Sequence, residues 1–239
     1  MNEVNYDNVN IAVFSTKTHD REYLIKYNQY NINFIWLEEP FNEQNLTKIP
    51  NIINYTGICV FVNDIICAKC IEFLKEKNIN YIFCRCTGIN NIDVAKANEL
   101  GIKICNVPEY SPEAIAEHAV ALMLAINRNI VTVHERCKNG NFSLTDLLIG
   151  FNIRKKTIGI IGAGKIGLAF AKICIGFGSN IIYFSRNRKK EYDDLGCVFS
   201  ELNELYKKCD IISLHIPSNK DTKHIINKSS LEKMKKNLF

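Results

Sequence analysis

Apolar residues in this chain fall in short runs separated by polar, helix-forming stretches. Residues 10–14 (N-I-A-V-F), 32–37, 57–62 (G-I-C-V-F-V), 79–84 and 102–106 are rich in β-branched or aromatic side chains and predict five strands. Between them, residues 20–27, 67–77 and 92–100 read as helices, with Ile71, Phe73 and Leu74 on the apolar side of the second and Gly101 closing the third. Strands alternating with helices predict a parallel sheet covered on both faces. Residues 1–106 are therefore expected to be an α/β domain in their own right.

The link V-P-E-Y-S-P (107–112) is rich in turn formers. Ser111 is placed to cap the next helix, Pro112 suits its first position, and Glu113 complements its dipole. That helix, 112–127, is apolar nearly all round, which predicts burial on most sides, in a core or a subunit contact. A polar helix (129–138) and a loop (140–150) follow.

Residues 157–161 (T-I-G-I-I) read as a buried strand. Gly162, Gly164 and Gly167 then stand at G-x-G-x-x-G spacing, and Ile166, Leu168, Ala169, Phe170, Ile173 and Phe177 recur at helical spacing. A further strand, 180–184, lies at the expected distance. The pattern predicts a dinucleotide-binding turn: Gly162 permits the tight turn, Gly164 lets a pyrophosphate approach the backbone, and Gly167 lets the helix pack on the strand. The helix N-terminus presents Lys165 and Ile166 and offers N–H groups to the phosphates. Beyond it, 202–206 reads as a short helix, 210–215 (D-I-I-S-L-H) as the third strand of this sheet, 230–236 as a helix, and Leu238-Phe239 as the first step of a fourth strand.

Composition narrows the classes. Apolar residues make up 47% of 239, enough for a packed core, and the net charge of +5 is spread among 30 basic and 25 acidic residues. The nearest basic run is R-N-R-K-K (186–190), so no nucleic-acid partner is expected. No apolar stretch reaches the roughly 18 residues of a membrane span, and the N-terminus carries no secretory pattern. A cytoplasmic protein with ten reduced cysteines is expected. Cys67-x-x-Cys70 suggests a redox or metal pair, but Cys84-x-Cys86 lies in or beside a strand and no zinc-type spacing follows. The preferred reading is therefore buried apolar thiols and no metal.

Together, R-C-T-G-I-N-N-I-D (85–93), V-P-E-Y-S-P-E-A-I-A-E-H-A (107–119), N-F-S-L (141–144), G-I-I-G-A-G-K-I-G (159–167) and D-I-I-S-L-H-I-P (210–217) resemble the D-isomer-specific 2-hydroxyacid dehydrogenase family, in its D-lactate dehydrogenase branch. The resemblance covers nearly the whole chain, in order. It implies a flavodoxin-like substrate domain (1–106, lacking its C-terminal return segment) and a Rossmann domain (107–239, first half only). It also implies hydride transfer between NAD(P)H and pyruvate or a similar 2-keto acid. By the resemblance, backbone N–H groups of Thr87 and Gly88 hold the substrate carboxylate and Tyr110 approaches the substrate. Lys165, Ile166, Ile216 and Pro217 contact the cofactor, and helix 112–127 forms a homodimer.

The family's catalytic arginine, glutamate and histidine map past Phe239. The sequence is accordingly read as C-terminally truncated, inactive toward pyruvate as written, and poorly soluble alone. A non-catalytic dinucleotide-binding or redox-sensing module of the same fold stays open as the alternative. At the end of the second Rossmann strand, where an acid ordinarily bonds the ribose of NAD, stand Ser185 and Arg186, with Arg188 and Lys189 nearby. NADP is therefore expected to be accepted at least as well as NAD, with Ser185 donating a hydrogen bond. Asp193 and Asp194 are read as too distant to replace the missing acid. His118 is read as a core or interface histidine, His215 as divided between cofactor proximity and a structural role, Arg85 as a structural ion pair beneath the substrate turn, and Trp36 as core or edge packing.

Overall fold

The structure, a computed structural model, describes residues 9–48 and 54–236; the strand start expected at Leu238-Phe239 lies outside the described residues. The chain divides into two compact units, Met1–Tyr110 and Ser111–Phe239.

The first unit runs β1 (Asn10–Val13), α1 (Thr18–Lys26), β2 (Asn33–Trp36), a 3₁₀ turn (Glu43–Lys48), β3 (Gly57–Val60), α2 (Ala68–Glu76), β4 (Tyr81–Cys84), α3 (Val94–Glu99) and β5 (Lys103–Cys105). All five strands are parallel, in the order β2-β1-β3-β4-β5. That is the flavodoxin-like order, whose chain reversal falls between β1 and β3. β3 is buried throughout because it is the middle strand. Ile58 and Val60 face a core built with Ile71, Leu74 and Ile82, and Cys59 faces the opposite core with Ile11 and Val13. Strand side chains alternate between faces, so one short apolar run supplies both layers. Trp36 packs on the edge strand β2, its ring 5.3 Å from Phe34.

The second unit holds α4 (Pro112–Asn127), α5 (Ile130–Lys138), a 3₁₀ turn (Asp146–Leu148), β6 (Thr157–Ile161), α6 (Lys165–Gly176), β7 (Asn180–Phe184), α7 (Lys190–Asp193), β8 (Val198–Phe199), α8 (Leu202–Lys208), β9 (Ile211–Leu214) and α9 (Lys228–Glu232). Its sheet is parallel, in the order β8-β7-β6-β9. Counted within the sheet, this is 3-2-1-4, the Rossmann order. β9 is therefore the fourth strand and not the third. The strand that sequence alone omits is β8, two residues long, which pairs Val198 and Phe199 with β7. β9 lies across the switch point beside β6, so the described sheet extends past the first βαβαβ half.

Ser111 caps α4 as expected, its Oγ accepting from the Ala114 N–H at 3.1 Å. The described unit by itself covers only one side of α4. Ala116, Val120, Met123 and Asn127 are buried, whereas Leu122 and Ile126 are half or more exposed. A helix apolar all round has more apolar faces than one neighbouring layer can cover. His118 is likewise exposed, so it is not a core histidine.

Candidate functional site

In the first unit, the loops that leave the C-terminal ends of the strands are knotted around Asp64. Its side chain is fully buried. The carboxylate accepts from Ser15 Oγ at 2.8 Å and from the backbone N–H groups of Phe41 at 2.7 Å and Phe61 at 2.5 Å. Asn91 donates to the Asp64 and Phe61 carbonyls at 2.7 and 3.2 Å, which ties the turn just before it to the same knot. Arg85, just after β4, pairs with Asp20 at 3.3 Å and donates to the Phe14 carbonyl at 2.9 Å. It sits 5.5 Å over the Phe61 ring. These contacts of Arg85 are all to structural groups, as for an ion pair beneath the turn.

On this base stands the Thr87–Gly88 turn. Asn106 donates to the Thr87 carbonyl at 2.8 Å and fixes it. Both residues are exposed. Neither Thr87 nor Gly88 donates its N–H to any group among the described residues, and a β-carbon on Gly88 would meet nothing within 4 Å. Two adjacent free amides beside the carboxyl end of a parallel sheet can hold a carboxylate. Tyr110 is 67% exposed.

In the second unit, each glycine of the G-x-G-x-x-G turn does different work. Gly162 has φ +106°, and a β-carbon there would lie 2.7 Å from Ile216 Cγ2. Gly167 is buried where α6 crosses β6, and a β-carbon would come within 2.7 Å of the Tyr192 hydroxyl. Gly164 faces open space and, as the cap of α6, brings no side chain to the first turn. Ile166 and Gly167 donate their N–H to no group among the described residues. Leu168 makes the first bond of the helix, to Gly164 at 2.9 Å. The turn thus offers free amides, a positive helix end and room above Gly164, which fits a pyrophosphate.

Beyond β7 the structure revises two expectations. The Ser185 hydroxyl donates to the Asn187 carbonyl at 2.5 Å, so it is committed within its own turn. Arg188 is held by Asp193 at 2.8 Å. Asp193 is also 3.2 Å from the Tyr183 hydroxyl on β7. A short helix therefore folds the distant acid back beside the strand end, where it neutralises Arg188. Arg186 is exposed and makes no hydrogen bond or ion pair among the described residues.

His215 follows β9. Its Nε2 is 3.0 Å from Ser213 Oγ and its ring 5.0 Å from that of Phe170. Burial lowers its pKa, which keeps the ring neutral at neutral pH. Ile216 packs beside Ile161, and Pro217 is exposed at the mouth of the turn.

Residues 120–239 match the family described as D-isomer specific 2-hydroxyacid dehydrogenase, NAD binding domain. A 2-hydroxyacid dehydrogenase homolog of Haemophilus influenzae is 39% identical over 226 residues, covering 94% of this chain and 67% of the relative. The D-lactate dehydrogenase of Escherichia coli is also 39% identical, covering 94% and 68%. The chain belongs to the D-isomer specific 2-hydroxyacid dehydrogenases.

The solved apo structure of Escherichia coli D-lactate dehydrogenase superposes with a TM-score of 0.85 at 36% identity, over 95% of this chain and 71% of that one. The Aquifex aeolicus D-lactate dehydrogenase, solved with NAD and lactic acid, gives 0.80 at 28% identity, over 94% and 66%. Members of this family are NAD-dependent oxidoreductases. Among the described residues, no group of His, Cys, Asp and Glu could hold a metal ion, and no single helix is long and apolar enough to cross a membrane.

Within this dehydrogenase chain, the structure brings Gly162, Gly164, Lys165, Ile166, Gly167, Ile216 and Pro217 to one end of the second sheet. Thr87 and Gly88 stand at the corresponding end of the first. Sequence reasoning missed Asp64, Asn91 and Asn106, which hold the first turn, and Tyr192, which sits under the second. An Asp a few residues past the end of an apolar strand run, as in G-I-C-V-F-V-N-D (57–64), is the one signal that could have flagged Asp64.

Proposed function

We propose that this chain binds a nicotinamide dinucleotide on the β6–α6 turn and a small 2-keto or 2-hydroxy acid on the Thr87–Gly88 turn, and serves D-lactate dehydrogenase-type hydride transfer on pyruvate or a similar acid. The observation that carries the reading is the glycine turn: only Gly164 opens to space, while Gly162 and Gly167 are hemmed in. In this reading the Ile166 and Gly167 amides bind the phosphates, and Thr87 and Gly88 orient the substrate carboxylate. Tyr110 approaches the substrate, and Ile216 and Pro217 flank the nicotinamide end. The bound nicotinamide supplies or accepts the hydride. The arginine, glutamate and histidine implied by the resemblance are assigned to no residue here, and what is proposed for these 239 residues is the binding of cofactor and acid.

Three finer proposals accompany this one. NADPH is accepted at least as well as NADH, because no acid stands at position 185 and Arg186 is unpaired. The chain also self-associates through α4, on which Leu122 and Ile126 are exposed, and works in the cytoplasm. Calorimetric titration of the folded 239-residue polypeptide with NADH tests the main reading. Saturable one-to-one binding is expected. A folded protein that binds no dinucleotide overturns it.

A further inference from the structure

Cys67 and Cys70 open α2. Cys67 is the cap of the helix, and Cys70 lies one turn in, fully buried. Their sulfurs are 3.6 Å apart. A disulfide needs β-carbons about 3.5–4.5 Å apart, closer than the roughly 5–6 Å between helix positions three apart, so closing the bond draws the cap and first turn of α2 together.

The two thiols are not equivalent. Cys67 is half-buried and reachable, at the positive end of the helix. Its sulfur lies 3.8 Å from Glu43 Oε2, a carboxylate already engaged by Lys69. Cys70 donates to the Ile65 carbonyl at 3.6 Å. Burial pushes its thiol up to about 12, which leaves it protonated until a neighbour reacts. Among the described residues no second pair of sulfurs is hydrogen-bonded in this way.

We propose that Cys67 and Cys70 form a reversible dithiol–disulfide pair, with Cys67 attacking a low-molecular-weight disulfide and Cys70 resolving the adduct. In the first step the Cys67 thiolate bonds one sulfur of the oxidant, and the other leaves as a thiolate. In the second, Cys70 sulfur bonds Cys67 sulfur, and the remaining half of the oxidant departs, carrying the Cys70 proton. Two protein thiols become one disulfide while the oxidant is reduced to two thiols.

The pair also sits close to the substrate turn. Ile66, one residue before Cys67, donates to the Asn91 carbonyl at 2.8 Å, and Asn91 donates to Asp64. Closing the disulfide removes Cys70 from Ile65 in that same segment. The proposal does not depend on the cofactor reading.

The test is to incubate the reduced 239-residue chain with glutathione disulfide, quench with acid and iodoacetamide, and map peptides by mass spectrometry. An intramolecular 67–70 disulfide is expected, reversed by reduced glutathione. Exposed Cys105 and Cys137 take glutathione adducts only. Cys70→Ser should trap a glutathione adduct on Cys67, whereas Cys67→Ser should leave Cys70 unmodified, its reactivity at least about tenfold lower than that of Cys67 in the converse variant. Persistence of both thiols in the unsubstituted chain while Cys105 reacts, or adduct formation first on Cys70, overturns the proposal.

Discussion

The carbonyl carbon of His215 lies 2.6 Å from the point where a β-carbon on Gly162 would sit. The end of β9 thus walls the first turn of the dinucleotide site, and Gly162 is confined both by this contact and by its positive φ. Gly164, two residues on, is confined by neither. Gly162→Ala is expected to lower unfolding stability by about 1–3 kcal/mol, the usual cost of a strained backbone position, with additional loss from the clash. Gly164→Ala should leave thermal unfolding within about 1 kcal/mol, the ordinary size of a surface change, yet weaken NADH binding by filling the pyrophosphate approach. Paired melting and titration curves check this; equal effects of both variants on stability would contradict it.

Cofactor choice should rest on Arg186. Arg188 is already neutralised by Asp193, and the Ser185 hydroxyl is already spent on Asn187. A charge-assisted hydrogen bond is worth roughly 1.5–3 kcal/mol, or about tenfold to a hundredfold in affinity. Arg186→Ala is expected to weaken NADPH selectively, Arg188→Ala to do so much less, and Ser185→Asp to shift preference to NADH. Dissociation constants for both cofactors across the three variants decide the matter. A parallel loss for NADH and NADPH in Arg186→Ala would remove the basis of the NADPH proposal.

Asp64→Asn keeps the size of the side chain but turns a donor toward the Phe41 or Phe61 N–H. Each buried group left without its partner costs about 1–3 kcal/mol, so a destabilisation of that order is expected. Urea unfolding reads it. Because the same knot holds Asn91 and the turn just before it, proteolysis near Thr87 should rise in this variant while cleavage in the second unit stays unchanged.

Stability should fall in mild acid through His215. Its pKa is lowered in the folded state, so the unfolded chain binds the proton more readily. The contribution is present in full above the ordinary value of 6.5 and is lost as pH falls through that value toward the lower folded one. His215→Gln is expected to flatten this part of the stability–pH profile. An unchanged profile between pH 7 and 5 would assign the slope to other groups.

The legible features were those written in local sequence. The alternation of short apolar strands with helices, the Ser111–Pro112 helix start and the glycine spacing each declare themselves within one turn or one element. What escaped depends on residues brought together from afar. β8 is two residues long, too short to show alternation, and exists because Val198 and Phe199 meet Ile182 and Tyr183. Asp64 gathers donors from positions 15, 41 and 61, and no spacing rule joins them. Asp193 was set aside for its distance along the chain, yet α7 returns it to Tyr183. For α4, the apolar pattern gave burial where the described unit leaves Leu122 and Ile126 bare.

The 3-2-1-4 strand order also sets a timetable for synthesis. The Gly162 turn is translated about fifty residues ahead of β9, several seconds at ordinary elongation rates. Until β9 docks against β6, in the register Ile161 to Leu214, the turn has no His215 backbone beside it and is held only from the β7 side, where the Gly162 N–H donates to the Phe184 carbonyl at 2.9 Å. A nascent chain therefore carries the nucleotide signature well before it has a nucleotide site. The wall beside Gly162 is thus completed by a strand made well after the turn it closes, and the turn takes its final shape only once β9 has found its place.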